Sequence, residues 1–134
     1  MCGGLWPPYI ISSEPCMSDE VRHLRLDIDR LVAPLSAAPA DLATHQQLRQ
    51  AAFRYVAAGG RGLGLWQRLR PPPRDAAARV VWAARRWAFS PGNVGVGADL
   101  LRAVAAYGSR PGRQDVTAVH EWLVRTLVAA RGKV

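Results

Sequence analysis

Lysine is almost missing from this chain of 134 residues: of 18 basic residues, only Lys133 is a lysine and the rest are arginine. A GC-rich coding sequence produces that bias by itself, so the choice of Arg carries little chemistry and only its placement matters. Cysteine is nearly as scarce. Cys2 and Cys16 form no Cys-x-x-Cys pair and stand at no metal-like spacing from His23, His45 or His120, so no zinc-site pattern exists. A reducing interior is the natural setting, and small cytosolic proteins rarely keep a disulfide. No apolar run approaches about 18 residues, so nothing in the sequence reads as a membrane span. The N-terminus has no basic start followed by an apolar stretch and does not read as a secretory signal. Strand-like alternation and internal repeats are lacking too.

Catalytic constellations are equally thin. Asp27 and Asp29 lie two apart on a helical stretch and do not converge. His120 and Glu121 are adjacent and face different ways. No Ser, His and Asp set suggests nucleophilic chemistry. All three histidines read as surface or boundary residues. Gly60-Arg61-Gly62-Leu63-Gly64 follows a helix rather than a strand, so it reads as a helix cap and tight corner, not a dinucleotide fingerprint. Gly92 to Gly97 lacks the Lys-Ser or Lys-Thr pair of a phosphate loop and reads as an interhelical loop. The expectation is a protein that is not an enzyme and needs no cofactor and no metal.

What is present is helix. The chain is 49% hydrophobic with five Trp, which excludes a wholly disordered chain. Its length suits one domain. Residues 1–16 hold no basic residue and no helical period, and read as an irregular or flexible N-terminal segment. Met17-Ser18-Asp19-Glu20 looks like an ordinary start, so a single helical domain is expected over 17–134, with a translation start near Met17.

Ser18 is placed to cap a first helix, with Val21, Leu24, Ile28, Leu31 and Val32 on one face and Pro34 ending it. Pro39 and Asp41 open a second, with Leu42, Leu48, Ala52, Phe53, Tyr55 and Val56 apolar and Gln46, Gln47, Gln50 and Arg54 wet; Gly59 and Gly60 stop it. Leu63 to Leu69 suggests a short third helix before the stiff Pro71-Pro72-Pro73 connector. A fourth, Ala-rich helix runs from Asp75 to Phe89, a fifth from about Ala98 to Tyr107, and a last from about Arg113 to Ala130. In the last, Val116, Val119, Leu123, Leu127 and Ala130 share a face. The fold class is all-α, a compact bundle of five to six helices.

Acid is the final scarcity, and it is local. Residues 49–86 carry Arg49, Arg54, Arg61, Arg68, Arg70, Arg74, Arg79, Arg85 and Arg86 against Asp75 alone, nine minus one, or the whole net charge of +8. The remainder balances nine against nine. On the fourth helix, Ala77, Val80, Val81, Ala84 and Trp87 gather as a core face, while Arg79, Arg85 and Arg86 fall opposite with Trp82 and Phe89 among them. Arginine's planar fork suits phosphate and stacks on rings, and an aromatic beside it is a way to hold a base. Arg68, Arg70 and Arg74 extend the patch across the proline corner.

The sequence therefore suggests a small non-enzymatic binding protein whose partner is anionic, nucleic acid backbone first. Its expected contact residues are Arg68, Arg70, Arg74, Arg79, Trp82, Arg85, Arg86 and Phe89. The competing expectation is a protein-interaction adaptor. It accepts an acidic amphipathic helix on that face or between the fourth and last helices, with Trp82, Phe89 and Trp122 as anchors. Either fits a cytoplasmic protein, or a nuclear one if the source is eukaryotic or viral, with no integral membrane association.

Overall fold

The computed structural model describes residues 19–62, 64, 69–110 and 115–132, with side chains as far as 127 in the last helix. Five α-helices make up the described fold, and no strand occurs among the described residues. The segment 1–16, the Ser18 cap and most of the short helix expected over 63–69 lie outside the described residues.

Helix α1 spans Asp19–Val32 and buries Val21, Leu24, Ile28 and Val32, one stripe at three- and four-residue steps. Asp19 and Glu20 in its first turn and Arg30 in its last complement the helix dipole. Pro34 stops the α-helix as expected. The chain tightens into a single 3-10 turn over Ala33–Ser36, which drops Leu35 fully into the core. The Pro34 carbonyl then accepts from the N–H groups of Ala37 and Ala38 at 3.1 and 3.0 Å, turning the chain back.

Helix α2, Leu42–Ala57, begins after Asp41, whose extended backbone ends the turn and whose carboxylate accepts from the Thr44 hydroxyl at 2.5 Å. It buries His45, Leu48, Ala51, Ala52 and Tyr55. Two expectations fail here. Phe53 and Val56 are 44% and 48% exposed rather than apolar-side residues. At about 100° per residue, Phe53 stands about 130° from the middle of the Leu48–Ala52–Tyr55 stripe, so it faces water. His45, expected near the surface, is 2% exposed. It falls on the buried stripe, and the Pro39 carbonyl meets its Nε2 at 2.9 Å, which satisfies the polar atom. Gly59 ends the helix at φ +90, a backbone angle that favours glycine.

Helix α3, Ala76–Phe89, is the helix expected fourth. The Asp75 carboxylate caps it by accepting from the Ala78 N–H at 2.9 Å. Ala83, Ala84 and Ala88 are fully buried, and their small side chains let neighbours come close on more than one side. α1, the 3-10 turn, α2 and α4 all pack on it, and none of its 14 residues is exposed.

Helix α4 spans Val94–Gly108, starting earlier than the sequence suggests. The Asn93 side chain accepts from the Val96 N–H at 3.2 Å, which turns the supposed glycine loop into a capped first turn. At Gly97 this helix comes close to the last one: a Cβ there would come within 2.9 Å of Leu127. Helix α5, Thr117–Gly132, follows Asp115, whose carboxylate accepts from the Thr117 N–H and hydroxyl at 3.0 and 2.7 Å. It buries Val119 and Leu123 against α4 and reaches α2. One buried apolar cluster draws on all five helices.

Candidate functional site

The arginines of α3 are held by the fold. Arg79 donates through Nε to the Pro73 carbonyl at 3.0 Å, which ties the start of the helix to the proline connector. Arg85 donates through Nε to the Asp29 carboxylate at 2.9 Å, joining α3 to α1. The Arg86 guanidinium lies 4.7 Å from the centre of the Trp82 ring. All three arginines and Trp82 are half-buried, and Trp82 packs against the apolar core.

Phe89 does not face outward as expected. It is 4% exposed, its ring meets Tyr55 edge to face at 5.2 Å, and the guanidinium groups of Arg25 and Arg85 lie 5.6 and 5.0 Å from its centre. A ring enclosed by a second ring and two cations has no free face for a base or a wedge. The physical reason is the central position of α3. Helical period identifies the face most strongly apolar, but α1 and α2 cover the opposite side as well.

The exposed cations lie elsewhere in the basic segment. Arg54, on the outer side of α2, and Arg61, Arg70 and Arg74, between α2 and α3, are exposed. Ion pairs among the described residues join Arg30 to Asp27, Arg85 to Asp29 and Arg102 to Asp99, and none uses these four. Arg68 lies outside the described residues. Of the expected contact residues, then, Arg70 and Arg74 are open to solvent, while Arg79, Trp82, Arg85 and Arg86 are partly committed to packing.

Local structure fixes how Arg61 is presented. The Tyr55 hydroxyl donates to the Arg61 carbonyl at 2.6 Å. Gly60 lies so close to the Tyr55 ring that a Cβ there would overlap it, and a Cβ on Gly62 would meet the Ser90 hydroxyl at 3.1 Å. The corner is thus held by its backbone against α2 and the end of α3, and the Arg61 side chain is left outside.

Arg54, Arg61 and Phe53 are exposed residues that the sequence does not single out. Phe53 is backed by Arg49, whose guanidinium lies 4.8 Å from the ring centre. The available signal was the run from 42 to 74, which contains no acid at all.

Elsewhere the surface offers less. Trp122 is half-buried against the core, and α4 packs on both α3 and α5, the helices expected to flank a groove. A shallow hollow on α5, lined by His120, Glu121, Val124 and Arg125, mixes one acid with one cation. No three His, Cys, Asp or Glu side chains come together among the described residues, and none of the described helices is long and apolar enough to cross a membrane. No known protein family, curated protein or solved structure matches this chain.

Proposed function

We propose that this protein is a small non-enzymatic binding protein that holds an anionic partner, nucleic acid backbone, on the arginines exposed between 54 and 74. The observation that carries this reading is the segregation of charge. The whole +8 resides in residues 49–86, and the exposed Arg54, Arg61, Arg70 and Arg74 have no carboxylate among the ion pairs described. Asp75, the single acid of that segment, is turned to capping α3. Unneutralised guanidinium groups attract polyanions and form bidentate hydrogen bonds with phosphate oxygens. Arg79, Arg85 and Arg86 help to fix α3 through Pro73, Asp29 and Trp82.

The adaptor reading loses an anchor, because Phe89 is enclosed. Action in the cytoplasm or nucleus goes with nucleic acid binding. The test is a titration of labelled nucleic acid with the wild type and with the triple variant Arg54→Glu, Arg70→Glu, Arg74→Glu at low salt, with circular dichroism as the control for folding. A loss of at least about tenfold in a folded variant is expected, since each reversal replaces a phosphate contact by repulsion. Unchanged affinity would sink the reading.

A further inference from the structure

We infer that the partner is a single-stranded nucleic acid, with an unpaired base stacked on the Phe53 ring. This rests on the backbone-binding reading above and adds a second chemistry to it. Phe53 is the exposed aromatic side chain among the described residues. Tyr55, Trp87 and Phe89 are buried, and Trp82, Tyr107 and Trp122 pack half-buried against the core. Phe53 is not part of the buried apolar cluster, and every base presents a flat apolar face that can cover such a ring.

The surroundings of Phe53 suit a nucleotide. Arg49, one turn earlier, lies 4.8 Å from the ring centre and backs one face with a cation. Arg54 follows Phe53 directly and is exposed. Gln46 and Gln50, also exposed on the outer side of α2, add polar atoms without negative charge. No acid occurs from 42 to 74, so a phosphate beside the stacked base meets cations and no nearby carboxylate of this segment.

A duplex hides its base faces inside the stack and cannot use the ring. A single strand offers a free face and a phosphate together. An acidic amphipathic helix matches the charge, but such helices seat several apolar residues in a groove. Here Phe53 and the neighbouring Val56 stand on the outer surface of one helix.

The experiment compares anisotropy of labelled oligothymidine and of a duplex of equal length, bound to the full chain. Phe53→Ala places a strong helix former at an exposed position, so the variant folds. The wild type should bind the single strand more tightly than the duplex. Phe53→Ala should weaken single-strand binding about tenfold, leave the salt slope and the duplex affinity unchanged, and Phe53→Trp should restore binding. If Phe53→Ala binds oligothymidine like the wild type while Arg54→Glu with Arg61→Glu weakens it, the stacking inference is overturned and the backbone reading stands. If the wild type binds neither nucleic acid at low salt, both are overturned. Binding of an acidic amphipathic peptide that Phe53→Ala abolishes, with no single-strand binding, assigns the surface to a protein partner and also overturns the inference.

Discussion

At 2.9 Å from the Pro39 carbonyl, the Nε2 of His45 has a partner that can only accept, so the neutral ring carries its proton there. Burial holds the imidazole below its ordinary pKa, against the smaller opposing pull of that hydrogen bond and of the Asp41 charge. The unfolded chain takes up a proton at His45 as pH falls through about 6.5, while the folded protein resists until lower pH. Stability from this residue is therefore full above that point and declines below it, until folded His45 protonates too. Denaturant titrations stepped from pH 8 downward should show the decline, and His45→Gln should flatten it whatever its own stability. Tyr55 carries a second residue-scale prediction. Tyr55→Phe removes the bond to the Arg61 carbonyl, should cost about 1 kcal/mol, and should speed tryptic cleavage after Arg61 as the corner loosens. Gly60→Ala should destabilise further, by about 1–3 kcal/mol, because the added methyl overlaps the Tyr55 ring.

Among the elements, α3 decides how the charge is used. Reversing two of its arginines, Arg79→Glu with Arg86→Glu, removes the bond to Pro73 and the stack on Trp82. The Arg86→Glu change also places acid near the negative end of the helix dipole. A loss of about 2 kcal/mol is expected, read as a lower denaturation midpoint, so weakened binding by that variant would reflect a loosened fold. Asp75→Ala should cost about 1 kcal/mol by removing the cap, while Asp75→Asn keeps most of it. Most of these helices were legible in the sequence, because the steps Val21–Leu24–Ile28–Val32 and Val80–Ala84–Trp87 report burial directly. Periodicity says little about how many neighbours a helix has. Phe89, at the end of α3, looked outward on a wheel and is covered by α1 and α2. Phe53 looked inward by composition alone and is exposed. The early start of α4 was hidden by Gly95 and Gly97, whose low helix propensity is outweighed by the Asn93 cap and by the close approach of Leu127.

For the molecule as a whole, segregation of charge was legible and the exposure of individual arginines was not, since exposure depends on which helices meet. A net charge of +8 confined to one segment makes association with a polyanion strongly salt-dependent. If Arg54, Arg61, Arg70 and Arg74 each neutralise one phosphate of a single strand, the plot of log affinity against log salt should have a slope of about −3. Neutralising any one of them with Gln should flatten it by about 0.7. Asp75→Asn works in the opposite sense: it removes the one acid of the segment, keeps a capping side chain, and should tighten binding at low salt with little change at high salt. The same substitutions at Arg79, Arg85 or Arg86 should leave the slope near its wild-type value, because those groups are engaged with Pro73, Asp29 and Trp82. A slope that falls equally for both sets would mean that the guanidinium groups of α3 leave their partners to meet the strand, and that the binding surface extends across α3.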